Sequence, residues 1–170
     1  MPSSPIRKLV PYADAAKKRG TKVYHLNIGQ PDIETPRVFW EKLKNMGMDV
    51  LSYAPSNGYE SYRQKFTKYY GTFGVDISPD NFIITTGASE ALYFTMFSCL
   101  NEGDEIIIPE PLYAKYIGFA TAGNIKIKPI TTDISNNFAL PSISEFENSI
   151  TPATKAILVC NPNNPTGYVY

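Results

Sequence analysis

From Asn81 onward, short β-branched runs alternate with longer helix-compatible stretches: "FIITT", "GASEALYFTMFSCLN", "DEIIIPE", "LYAKYIGFATAG", "IKIKPITT", "SISEFENSI" and "KAILVCN". The order is βαβαβαβ. Runs apolar on both faces, joined by connections of helix length, predict an α/β fold in which residues 81–160 form four strands of one parallel sheet with helices on both faces. Such sheets bind ligands beyond the carboxyl ends of their strands, where strand-to-helix loops and helix N-termini converge. The loops after Thr86, Pro109 and Cys160 are therefore the candidate site.

The first 80 residues read differently. A Pro-interrupted amphipathic segment, "SPIRKLVPYADAAKKRG", precedes a short predicted strand "VYHLNIG" and helices that open at "TPRVFWEKLKN" and "GYESYRQKFTKYY". Thr35 and Pro36 fit a helix cap and first turn. These elements predict an arm and a bridging segment, not a second complete core.

Composition excludes several classes of function. Sixteen basic and sixteen acidic side chains cancel, which leaves no long-range field to hold a polyanion, so nucleic acid is not an expected partner. Apolar runs such as "EIIIP" and "AILVC" are far shorter than the roughly 20 residues of a membrane span. A soluble, cytoplasmic protein is expected. Cys99 and Cys160 lack CxxC spacing and a companion histidine, so no metal site is expected and both read as small core hydrophobes.

The three loops carry distinct chemistry. Gly87-Ala88-Ser89 is a small-residue turn opening a helix, where backbone N–H groups and the Ser89 hydroxyl can seat a phosphate. A turn glycine and a capping serine would look the same. The Walker and dinucleotide glycine patterns are both absent from this loop. Tyr113, in "PLYAKY", can stack on a flat heterocycle if it faces that seat; it can equally be one of twelve tyrosines that merely pack. In "NPNNPTG" two prolines restrict the backbone around Asn164, whose amide can donate to or accept from a ring hydroxyl.

Phosphate, flat ring and ring hydroxyl together describe pyridoxal phosphate, and with "LNIGQPDIETP", "YAPSNGYESYRQKF", "ITTGASEAL", "PEPLYAKY" and "NPNNPTG" in this order the sequence resembles the N-terminal portion of a class I/II aminotransferase, a fold-type I enzyme. The resemblance implies a pyridoxal-phosphate-dependent transfer between an α-amino acid and a 2-oxo acid. It implies cofactor contacts from Gly87, Ala88 and Ser89 to the phosphate, from Tyr113 to the ring and from Asn164 to the ring hydroxyl. Gly29 would lie at the substrate carboxylate, and Tyr53 would reach the phosphate of the neighbouring subunit in a homodimer. Residues 1–45 would be an arm and small-domain segment, and residues 46–170 the N-terminal half of the cofactor-binding large domain.

Ala88 departs mildly from the glycine frequent in relatives. The family's lysine that bonds the cofactor aldehyde, its aspartate at the pyridine nitrogen and its arginine for the substrate carboxylate all follow the Asn-Pro-Thr-Gly motif. None of the twelve lysines here stands in that lysine's context, so the resemblance implies no catalytic residue within this sequence and a truncated, inactive chain. Two other readings share these motifs: a β-lyase or aminocyclopropane-carboxylate synthase type of enzyme, and a non-catalytic binding or dimerisation domain. His25 reads as structural, Asp104-Glu105 as a turn before a strand, and "KKRG" at 17–20 as a helix C-terminus.

Overall fold

The computed structural model describes residues 7–170, so the first six residues of the expected arm lie outside the described residues. The chain forms two compact units, one of Met1–Val23 with Gly87–Tyr170 and one of Tyr24–Thr86.

The larger unit contains helix α1 (Val10–Lys18) and a parallel sheet of β1 (Glu105–Glu110), β2 (Lys126–Thr131) and β3 (Thr154–Ile157) in the order β2-β1-β3. Helix α4 (Ala88–Cys99) leads into β1, α5 (Lys115–Ala122) connects β1 to β2, and α6 (Ile143–Ser149) precedes β3. The hydrophobic pattern positions these elements. Ile106 and Ile108 of β1 join Met96 and Leu100 at the end of α4, and Tyr116 and Ala120 of α5, in one buried cluster, with Ile127, Ala156 and Leu158 packed against it. Side chains alternate along a strand, and Ile107, pointing the other way, is also fully buried. Helix α6 packs on β2. Its connection runs back across β1 to the opposite edge, and a right-handed crossover in that reversed direction lays it on the face opposite α5. The expected parallel α/β architecture is observed.

Helix α1 ends as its sequence predicts. Pro11 sits in its first turn, and at its end Gly20 adopts φ +83° while the N–H groups of Gly20 and Thr21 donate to the carbonyls of Lys17 and Ala16. This is a glycine-terminated helix stop.

The smaller unit holds α2 (Arg37–Lys44) and α3 (Glu60–Gly71), followed by a 3-10 turn at Pro79–Asn81. Buried Arg63 of α3 organises it, donating from Nε to the Gly58 carbonyl and from a terminal nitrogen to the Pro79 carbonyl and Asp80. Aromatic packing does the rest: Phe66 and Tyr70 lie against Phe82 at ring separations of 5.8 Å.

Several local expectations are corrected. Phe82–Thr86 is not a strand, so three strands are found among the described residues instead of four. Its Phe82 ring is drawn onto α3, and the Ile84 N–H donates to the Asn57 carbonyl of the loop before that helix. "VYHLNIG" likewise forms no strand, and His25 is exposed. At α2 the cap is Pro36, not Thr35, because Pro36 holds extended backbone (ψ 133°) immediately before the first helical residue. Cys99 is exposed and Cys160 half-buried, so neither is a core residue: α4 turns Met96 and Leu100 inward instead. Among the described residues no helix is long and apolar enough to cross a membrane.

Candidate functional site at the carboxyl end of the sheet

The strand order reverses between β1 and β3: the chain leaves β1 toward β2 on one side and returns to β3 on the other. A crevice opens outside the carboxyl ends of strands at such a reversal, because the two following loops diverge to opposite faces. Those two loops carry Tyr113 and Asn164. The helix α4 adds the third component. Its last turn joins β1 through the short turn at Asn101–Asp104, so α4 runs antiparallel to β1 and its N-terminus, with Gly87, Ala88 and Ser89, lies toward the same end of the sheet.

At the start of α4, Gly87 is the cap residue (φ +91°) and no side chain caps the helix. Ser89 therefore does not serve as the N-cap, and its side chain is exposed. First-turn N–H groups have no acceptor within a helix and favour an anion. An added Cβ at Gly87 would meet nothing within 4 Å, so the approach to this turn is open.

The loop after β1 is fixed from beneath. Thr132 is buried and donates its hydroxyl and its N–H to the Glu110 carbonyl, at 2.7 and 2.9 Å, while the Thr131 hydroxyl donates to the Glu110 carboxylate at 2.8 Å. From this anchor the chain reaches Tyr113, half-buried with its ring edge-on to Tyr116 at 5.4 Å. Tyr116 is buried in the core cluster, and burial, reinforced by the neighbouring Cys160 thiol and Tyr113, pushes its phenol well above the ordinary range. It is a neutral packing group that backs Tyr113 and meets the Cys160 thiol at the entry to the third loop.

That third loop closes on itself. Asn163 is buried, and its side-chain oxygen accepts from the Thr166 N–H and hydroxyl at 3.2 and 3.1 Å, while its amide nitrogen donates to the Tyr170 hydroxyl at 3.2 Å. Its backbone N–H donates to the Tyr168 carbonyl and its carbonyl accepts from Gly167, both at 2.8 Å. Asn161 accepts from the Tyr170 N–H at 3.0 Å. Asn164, the next residue, is exposed. The Asn161–Pro162 and Asn164–Pro165 bonds are cis.

Gly87, Ala88, Ser89, Tyr113 and Asn164 thus belong to one end of one unit. Gly29 and Tyr53 belong to the other unit, where both are exposed. The residue pair Asp104-Glu105 serves the turn, as expected: Asp104 accepts from the Asn101 N–H and Glu105 from the Thr151 hydroxyl, each at 2.7 Å. Asn163 escaped the sequence reading. Its signal was present as an Asn three residues before a Thr, with Pro and Gly between and after, a spacing that favours side-chain-to-backbone turns.

The donor set fits pyridoxal phosphate: a helix start open to an anion, a ring braced from behind, and an exposed amide on a locked loop. The family model described as Aminotransferase class I and II matches residues 21–170. An aspartate aminotransferase of Thermotoga maritima is 34% identical over 172 residues, covering 100% of this chain and 45% of that protein. A (5-formylfuran-3-yl)methyl phosphate transaminase of Methanocaldococcus jannaschii is 32% identical, covering 96% of this chain and 42% of its own length. Among solved structures, an alanine aminotransferase from Pyrococcus furiosus superposes with a TM-score of 0.92 at 35% identity, over 99% of this chain and 44% of that one. The chain spans less than half the length of these relatives.

Proposed function

Since the chain belongs to the class I and II aminotransferases, we propose that the protein carrying it binds pyridoxal phosphate at the carboxyl end of this sheet and transfers an amino group between an α-amino acid and a 2-oxo acid. The observation that supports the reading is the strand reversal between β1 and β3, whose following loops carry Tyr113 and Asn164; a cofactor between those loops would meet both, with the start of α4 at its phosphate. The N–H groups at Gly87–Ser89 and the Ser89 hydroxyl would hold the phosphate, the Tyr113 ring would lie against the pyridine, and the Asn164 amide would donate to the ring hydroxyl oxygen. When bound, this cofactor supplies an electron sink for the substrate α-carbon. The chain's own residues bind and orient it.

The remaining assignments follow the same reading. The Gly29 backbone would meet the substrate carboxylate, and Tyr53, fully exposed on its own unit, would reach the phosphate bound by a second copy in a homodimer. Residues 1–45 would act as arm and small-domain segment and residues 46–170 as large-domain half. The cytoplasm is the proposed compartment, in keeping with two free thiols and the reducing conditions there. The names of the relatives, aspartate, alanine and a furan phosphate, differ in substrate, so the class proposed is amino acid and 2-oxo acid without a particular side chain.

The test is equilibrium binding of pyridoxal phosphate to the intact protein, followed by absorbance, with Ser89→Ala beside wild type. Loss of one charge-assisted hydrogen bond is expected to weaken binding by about tenfold or more. An unchanged Kd would remove Ser89 from the phosphate site.

A further inference from the structure

We infer that Asn163 is a positioning residue for the cofactor's ring hydroxyl: it touches no cofactor itself, and by locking the loop it fixes the direction of the Asn164 amide. The inference rests on the proposed contact of Asn164 with that hydroxyl.

Two adjacent asparagines have opposite environments here. Asn164 is exposed, whereas Asn163 is 7% exposed, and both ends of its carboxamide are used. A buried amide with satisfied partners on both ends has one orientation, because turning it over would set donor against donor at Thr166. The Asn163 oxygen gathers the Thr166 N–H and hydroxyl. The Asn163 carbonyl takes the Gly167 N–H and its own N–H gives to Tyr168. Thr166, Gly167, Tyr168 and Tyr170, all beyond Asn164, are thereby tied back to the one residue that precedes it. The Tyr170 hydroxyl completes the clamp from outside, and Asn161 holds the Tyr170 N–H. An exposed amide on an untied loop would sample many directions, and each misdirected one weakens a bond whose strength depends steeply on angle. Asn163 removes that freedom.

The experiment uses the holoenzyme that carries this chain and has two readouts. The first is amide hydrogen exchange at Thr166. Asn163→Ala should deprotect that N–H, and Asn163→Asp, which keeps the accepting oxygen, should restore protection. The second is the pH midpoint of the bound cofactor's absorbance change. Asn164→Ala removes a donor to the ring oxygen and should raise the midpoint by about half to one pH unit. Asn163→Ala should raise it in the same direction, and the double variant should move it no further than Asn164→Ala alone, because the first residue acts through the second. A midpoint moved by Asn164→Ala but not by Asn163→Ala, or fully additive shifts, overturns the inference and leaves the Asn164 contact standing. A midpoint unmoved by Asn164→Ala overturns the contact and the inference with it. If Asn163→Ala does not fold, Tyr170→Phe, which deletes only the outer hydroxyl, should still give a smaller upward shift, and an unmoved midpoint there counts against the clamp.

Discussion

Arg63 and Asp80 form an ion pair at 3.2 Å in which the guanidinium side chain is 8% exposed and the carboxylate side chain 91%. The carboxylate is solvated, so its share of the attraction is screened and worth little. The carbonyls of Gly58 and Pro79, at 3.2 and 2.6 Å, are the partners that hold the buried cation. Asp80→Asn is expected to change stability by less than about 1 kcal/mol, and Arg63→Ala to cost about 2–4 kcal/mol through lost packing and stranded carbonyls. Urea denaturation of both variants checks this; equal losses would mean that the ion pair itself is the stabilising contact.

Gly58 and Gly103 both have positive φ, +89° and +86°, but only one has a neighbour. A Cβ at Gly58 would stand 2.6 Å from the Cβ of Ile84, while at Gly103 it would meet nothing within 4 Å. Gly103→Ala should therefore carry only the left-handed penalty, about 1–2 kcal/mol. Gly58→Ala should carry that and the displacement of Ile84, about 2–4 kcal/mol in all. Thermal denaturation of the pair distinguishes strain from steric exclusion, and the prediction fails if Gly103→Ala is the more damaging.

Two isoleucines on the same face of the sheet contrast its central strand with its edge. Ile107 is fully buried and Ile157, paired to it in the neighbouring strand, is 49% exposed. Ile107→Ala is expected to cost about 2–5 kcal/mol, the range for a cavity in a closed core. For Ile157→Ala less than about 1.5 kcal/mol is expected. Guanidinium unfolding of each variant measures the difference, and comparable losses would show that the edge strand is covered at Ile157 as closely as the central strand is at Ile107.

Tyr116 gives the fold an alkaline weakness. Burial raises its phenol above the ordinary value near 10, so the folded state keeps its proton in a pH range where the unfolded chain releases it. The contribution is intact below pH 10 and is lost as pH rises toward the folded value, with a slope of about 1.4 kcal/mol per pH unit for one proton. Tyr116→Phe should flatten that slope by one proton. Denaturation midpoints measured at a series of pH values above 9 test it, and an unchanged slope would assign the alkaline loss to other groups.

The elements of residues 87–160 were legible because each is local. The long helix-compatible stretch "GASEALYFTMFSCLN" and the unbroken apolar run of "EIIIP" need no distant partner to be recognised, and both stand where the sequence predicts. Chemistry-bearing residue types were legible for the same reason: a small-residue turn before a helix, an aromatic after a strand, an amide between prolines. "FIITT" and "VYHLNIG" have strand composition yet form no strand, because a strand exists only when a neighbour supplies the ladder, and the Phe82 ring and Ile84 N–H found other partners. Burial of Cys99 was likewise a matter of which side of a helix faces the sheet, which α4 settled in favour of Met96 and Leu100. The order β2-β1-β3 is written in no single segment. It arises from how two crossovers of the same hand cover two faces of one sheet, and that packing puts the loops of Tyr113 and Asn164 after neighbouring strands and turns Asn163 inward while its neighbour stays in water.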